Sequence, residues 1–227
     1  MAAAVDGDKP TGPRSGKGIR TRARLVDAAK KVFEESGFLD ARISDIAERA
    51  GLSHGSFYHY FDSKEEIFRE VAAALEEQLS AHSIIDSGLL DATSGASMRD
   101  RLAESNRRYL ADYRDEARIM GVIEQVSRYD SEVRAARLTR QKQYTEQTEA
   151  AIRRLQRQGL ADASLDPRIA APALSAMVTR FAEMWFVQGQ VECNFDQGVE
   201  QLATLCMNAL RIKETAEAPR RRRLRAT

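Results

Sequence analysis

Residues 42–61 read Arg42-Ile-Ser-Asp-Ile-Ala-Glu-Arg-Ala-Gly-Leu-Ser-His-Gly-Ser-Phe-Tyr-His-Tyr-Phe61. Ile43, Ile46, Ala47 and Ala50 recur at helical spacing and make one apolar face, with Asp45, Glu48 and Arg49 opposite. Gly51 follows at once. Glycine reaches positive φ without a Cβ penalty, so it ends this helix. Leu52 is expected to drop toward the core, and Ser53 to cap a second helix over roughly His54 to Tyr60. The stretch is therefore two short helices around a tight turn.

The second helix has a divided composition. Its first turn is small and polar (His54, Gly55, Ser56); its second is aromatic (Phe57, Tyr58, His59, Tyr60, Phe61). Core packing alone does not ask for that division, whereas insertion end-on into a DNA major groove does. Small residues let the backbone approach base edges, and first-turn N–H groups can meet a phosphate. Tyrosine hydroxyls and histidine nitrogens reach phosphates and bases. Phe57 and Phe61, four apart, turn inward and hold the helix to its own domain.

With these residues in view, the region from about 20 to 70 resembles the DNA-binding domain of the TetR/AcrR family of transcriptional regulators. The matching pieces are Asp45 through Ser53, Gly55 through Phe61, and Ser63-Lys64-Glu65-Glu66. The family usually has Thr where Arg42 stands, capping the first helix and touching a phosphate; Arg42 cannot cap but can reach a phosphate. The family often has Lys where His54 stands. The resemblance implies an all-α protein, with an N-terminal three-helix helix-turn-helix head joined to a C-terminal helical ligand-binding and dimerisation body. It assigns DNA contact to Arg42, Ser53, His54, Gly55, Ser56, Tyr58, His59, Tyr60 and Lys64.

The chain has 227 residues, 43% hydrophobic and 30% charged, with a net charge of +1. Any surface for a polyanion must therefore come from local asymmetry. Two cysteines, Cys193 and Cys206, do not make a disulfide framework and read as buried thiols of a cytoplasmic protein. No stretch approaches the ~20 apolar residues needed to cross a bilayer, so no membrane partner is expected.

Residues 1–17 read as a disordered basic arm, 18–65 as the DNA-binding domain, 66–213 as the body and 214–227 as a disordered basic tail. The first helix is expected from Arg20 to Ser36, ended by Gly37. A fourth starts after Ser63, with Ser63 and Glu66 as a capping box and Ile67, Phe68, Val71, Ala74, Leu75 and Leu79 inward, and runs to about His82. After a loop at 83–97 come helices at Ser97–Asp115, Glu116–Tyr129 and Ser131–Gln158. Asp166-Pro167 opens an eighth, and Asp196 is expected to cap the ninth.

No enzyme signature appears. The histidines His54, His59 and His82 lack zinc-ligand spacing, and there is neither a phosphate loop nor a nucleophile elbow. No catalytic residue, metal or cofactor is assigned. The body instead offers a soft apolar lining in Tyr109, Tyr113, Met120, Ile123, Met177, Phe181 and Trp185, with Glu124 and Tyr144 as polar contacts. These residues equally suit an ordinary helical core. The resemblance implies that they hold a hydrophobic small-molecule effector, either drug-like or an acyl-coenzyme A. The eighth and ninth helices are apolar on more than one face, which fits a core on one side and a partner on the other. The family pairs these helices in a homodimer on a palindromic double-stranded operator. The expected function is a repressor released by its effector; the alternative is a constitutive architectural DNA-binding protein.

Overall fold

A computed structural model describes residues 16–80 and 97–212. The expectations for the arm through residue 15, the loop through residue 96 and the basic tail fall outside the described residues; Gly16 and Lys17, expected in the arm, instead open α1. Among the described residues there are helices and no strand. They run α1 Gly16–Asp40, α2 Ile43–Arg49, α3 His54–Phe57, α4 Lys64–Ser80, α5 Met98–Asp115, α6 Ala117–Val126, α7 Ser131–Arg157, α8 Pro167–Ala182 and α9 Phe195–Ala209. A single π turn, Glu183–Val187, follows α8. The described residues divide into two compact units, one within 1–76 and 118–136, the other within 77–117 and 137–227.

In the first unit, α1 buries Leu25, Ala28, Ala29, Val32 and Phe33, one face at helical spacing. Gly37, at φ +72°, kinks the helix where the sequence predicts its end. Beyond the kink Phe38 returns inward, and Phe33, Phe38 and Phe68 meet edge-to-face or stacked, with centroids 4.9–5.8 Å apart. Such pairs add about 0.5–1.5 kcal/mol each beyond the area they bury. From α4 the buried residues are Ile67, Phe68, Val71, Ala72 and Leu75. Ala72, four after Phe68, takes the inward place expected for Ala74, which is exposed. The α6 residues Ile119, Met120, Ile123 and Val126 are all buried, as their spacing predicts.

In the second unit α5 packs along α9. The α5 face is Leu102, Asn106, Tyr109, Leu110 and Tyr113; the α9 face is Val199, Leu202, Ala203, Cys206, Met207 and Leu210. One expectation is corrected. The side chain that caps α9 is Asn194, whose Oδ1 accepts from Asp196 N at 2.9 Å; Asp196 itself lies in the first turn. The buried stripe of α8 is Ala171, Leu174, Ser175, Val178 and Ala182, so Met177, Phe181 and Trp185 lie half-buried beside it. The opening of α8 follows the sequence, with Asp166 accepting from Arg168 N at 2.9 Å and Pro167 in the first turn.

Candidate DNA interface and effector cavity

Gly51 stands at φ +65°, and its N–H donates to Glu48 O at 2.9 Å while Leu52 N–H donates to Ala47 O at 2.9 Å. This closes α2 and reverses the chain in two residues. Ser53 then caps α3, its Oγ accepting from Ser56 N at 3.2 Å and lying 2.7 Å from Ser56 Oγ. The α-helical part of α3 is only His54–Phe57. Turns carry the chain on, with Tyr60 N and Phe61 N both donating to Phe57 O, at 2.9 and 3.1 Å.

This frame sorts the side chains. Phe57 and Phe61 are buried. Ser53, His54, Gly55, Tyr58 and His59 are exposed, Tyr58 to 48%, and Ser56 and Tyr60 are half-buried. A Cβ added to Gly55 would meet nothing within 4 Å, so internal packing places no demand on the glycine. Arg42, exposed, precedes α2 with extended backbone and no side-chain cap.

Three cations serve the frame itself. Arg22 reaches the Tyr60 carbonyl and both Glu70 carboxylate oxygens, with its guanidinium 4.0 Å from the centre of the Phe61 ring. Arg24 donates to Ala50 O at 2.7 Å, satisfying a carbonyl at the end of α2. Lys64 is the third. Its Nζ donates to Phe38 O (2.7 Å), Leu39 O (3.1 Å) and Ala41 O (3.0 Å), and lies 4.7 Å from the Phe38 ring centre. An ammonium has three hydrogens, and these three carbonyls match them in number. The capping box at Ser63 is offset in the same region: Ser63 Oγ accepts from Glu66 N, but the Glu66 carboxylate accepts from Asp62 N, one residue earlier.

Arg69 of α4 binds Asp130 through Nε and Nη2 at 3.1 and 3.0 Å. The other Asp130 oxygen accepts from Glu132 N and Val133 N at 2.9 and 3.0 Å, capping α7. Desolvation pushes the Asp130 carboxyl upward, but the Val133 N–H, the Arg69 guanidinium and the Glu132 N–H outweigh it and hold the group below its ordinary value.

In the second unit α5, α7, α8 and α9 enclose a cavity lined by Leu102, Tyr144, Thr148, Leu155, Leu174, Ser175, Val178, Cys206, Leu210 and Ile212. Its volume is about 20 Å³, on a scale where one water needs roughly 10–15 Å³. Burial pushes the Cys206 thiol up to about 12, so it stays protonated and packs as a small hydrophobe. Cys193 is only half-buried, against the expectation of two buried thiols.

Of the residues expected to line an effector site, Tyr144 borders this cavity. Tyr109 and Tyr113 are buried in the same unit, and their rings continue a file with Tyr144, Phe186, Trp185, Phe181 and Phe195 at centroid spacings of 4.5–6.5 Å. Burial pushes the Tyr109 phenol up to about 12, against a lowering hydrogen bond with Thr179. Met177 is half-buried. Met120 and Ile123 belong to the core of the first unit, where Glu124 is half-buried. Sequence reasoning missed Thr148, Ser175 and Leu155. The first two are polar residues on buried faces, which a search for apolar periodicity passes over. Among the described residues no cluster of His, Cys, Asp or Glu could hold a metal. No helix there is long and apolar enough to cross a membrane.

Comparison with known proteins bears on both regions. Residues 25–71 match the family described as bacterial regulatory proteins, tetR family, and residues 95–192 match its tetracyclin repressor-like C-terminal domain. The chain belongs to the TetR family. The HTH-type transcriptional repressor KstR2 of Rhodococcus jostii is 39% identical over 82 residues, which is 35% of this chain and 40% of that protein. The first curated relatives are matched over only 28–40% of their own length. Among solved structures, a TetR-family transcriptional regulator from Mesorhizobium loti superposes with a TM-score of 0.70 at 21% identity, covering 86% of this chain and 97% of that one. FadR of Bacillus subtilis, in complex with stearoyl-CoA, gives 0.65 at 18% identity, covering 82% and 98%. Both establish the TetR fold and nothing finer.

Proposed function

We propose that this TetR-family chain is a DNA-binding transcriptional repressor that acts as a homodimer on a palindromic operator and is released by a hydrophobic small-molecule effector. The observation that carries the reading is the sorting of residues 53–61. Ser53, His54, Gly55, Tyr58 and His59 face outward from a short helix whose inner face is locked by Phe57 and Phe61. In this reading His54, Gly55, Ser56 and His59, with Ser53, meet bases or nearby backbone; Tyr58, Tyr60 and Arg42 hold phosphates.

The dimer is assigned to α8 and α9. Ile169 (70% exposed), Pro172, Ala173 and Ala176 make an apolar exposed stripe on α8, and Leu205 (53% exposed) and Ala209 continue it on α9. Apolar stripes of this kind on two helices fit an isologous two-fold contact. The effector acts only through unequal affinity for operator-competent and released forms. Screening begins with the two classes named by the chemistry of the lining and by the FadR neighbour: drug-like apolar compounds and acyl-coenzyme A.

The test is fluorescence anisotropy of DNA from upstream of the protein's own gene, titrated at several salt concentrations. A repressor binds that fragment beyond scrambled DNA, and His54→Ala changes its ranking of variant operators more than the salt slope. Equal, steeply salt-dependent binding to both fragments would favour a constitutive architectural protein. The smallness of the cavity supports that second reading, and a ligand-induced rise in melting temperature would exclude it.

A further inference from the structure

The wall of the cavity is apolar except at a few points. Thr148 donates its hydroxyl to Tyr144 O at 3.0 Å. Ser175 is different. It is 3% exposed, lines the cavity, and its Oγ has no hydrogen-bond partner. On α5, Asn106 follows Leu102, a wall residue, by one turn. It is 0% exposed, and neither Oδ1 nor Nδ2 is bonded. Three residues later Tyr109 bonds Thr179, which stands one turn beyond Ser175 on α8. Along α5, Asn106 thus stands between the wall residue Leu102 and Tyr109, and along α8 the wall residue Ser175 stands one turn before Thr179.

Buried polar groups are nearly always bonded, and each exception asks for a cause. An amide offers both donors and an acceptor, and a hydroxyl offers one of each kind. None of the ten residues that line the cavity is ionisable at neutral pH; the Cys206 thiol is held protonated. A carboxylate, phosphate or ammonium brought here would lose its hydration without gaining an opposite charge.

We infer that the buried end of the effector is uncharged and carries a hydrogen-bonding oxygen, as in a ketone, ester, lactone or alcohol, seated on Ser175 and Asn106. Its apolar body lies against Leu155, Leu174, Val178 and Leu210. The inference rests on the effector reading above and narrows it. Because the cavity has room for about one water, the ligand enters an enlarged form, and its oxygen takes over the bonds a water would make.

The test uses the full-length protein and four probes of one chain length: 2-nonanone, 1-nonanol, nonanoate and nonylamine, near neutral pH, where the last two are charged. Thermal melting is read with each. The ketone or the alcohol should raise Tm by about 5 °C or more once it is roughly a hundredfold above its Kd, and the charged pair should not. Ser175→Ala and Asn106→Leu should melt no lower than wild type without probe and should lose the rise. Nonanoate or nonylamine matching the neutral probes would overturn the inference and leave the effector reading standing. A rise kept by both variants, or variants that melt well below wild type, would assign the two residues to the scaffold and overturn it also. Silence from all four probes would count against both readings.

Discussion

Lys64 separates a scaffold from a DNA contact, and Lys64→Met tests the difference. The substitution keeps the aliphatic stem and removes the ammonium. It leaves Phe38 O and Ala41 O, both in partly buried bonds, and Leu39 O, in an exposed one. A hydrogen bond to a charged group contributes about 1.5–3 kcal/mol net. Water replaces the bond at Leu39 O, and partial exposure discounts the other two to about 1 kcal/mol each. The cation over the Phe38 ring adds about 0.5–1 kcal/mol. The expected loss is about 3 kcal/mol, confined to the first unit. For a unit of this size, about 4–8 °C accompanies each kcal/mol, so its melting should fall by roughly 12–24 °C. Hydrogen exchange of α1 and α4 amides in the full chain reads this directly. At a temperature where the variant is still folded, the slope of log K against log salt for operator binding should match wild type. The reasoning is refuted if α1 and α4 exchange as slowly as before while that slope falls by about 0.9, the signature of one lost phosphate contact.

Other substitutions test neighbouring claims. Gly55→Ala should leave melting unchanged or slightly higher, since its methyl meets nothing within 4 Å, yet weaken operator binding about tenfold, roughly 1.4 kcal/mol, by holding the backbone off the DNA; full affinity in anisotropy would remove the close-approach role. Gly198→Ala sets a methyl 2.4 Å from Trp185 Cη2 and 2.5 Å from Cζ3. Displacing the indole should cost about 1–3 kcal/mol and shift the emission of the chain's single tryptophan, so unchanged emission and melting would contradict the packing. Asp166 is held at about 2 by the Arg168 guanidinium and N–H, against an ordinary 3.8. A depressed acid stabilises the fold above its unfolded value, so its contribution is complete above about pH 4 and is lost as pH falls toward 2. Urea midpoints of wild type and Asp166→Asn should therefore converge across that window, and parallel curves would deny the linkage. Ala176→Arg, on the exposed stripe of α8, should yield monomers in sedimentation; an intact dimer would move the interface elsewhere.

Much of the head is legible from local pattern. Gly51 and Ser53 announce the turn and the cap, and Phe57 and Phe61 announce the inner face, because each acts within a few residues of itself. Asp166-Pro167 marks the start of α8 for the same reason. Lys64 escapes such a reading. A cation at a helix start looks free, and only the approach of the α1 terminus, more than twenty residues earlier, brings three carbonyls to it. The α9 cap was misplaced by two positions because Asn194 and Asp196 both have capping side chains, and backbone geometry decides between them. In the body, alternation of apolar residues finds walls but not the polar atoms set into them. Ser175 and Asn106 sit on inward faces that hydrophobic pattern alone assigns to leucine. The π turn at Glu183–Val187, which carries Trp185 and Phe186, has no local signal that we can name.

In the proposed effector reading, the small cavity bears on how the response is tuned. If only about one molecule in a hundred has the cavity open, the observed dissociation constant is about a hundredfold weaker than the intrinsic one. The concentration at which the protein responds is then set by the cost of opening, a property of packing among α5, α7, α8 and α9. In the same reading, which compound it answers to is set separately, by Ser175 and Asn106. A substitution that loosens packing away from Ser175 and Asn106 would make the same molecule a signal at lower dose. Sensitivity and selectivity can thus drift independently, and related chains with one preference can answer to very different abundances.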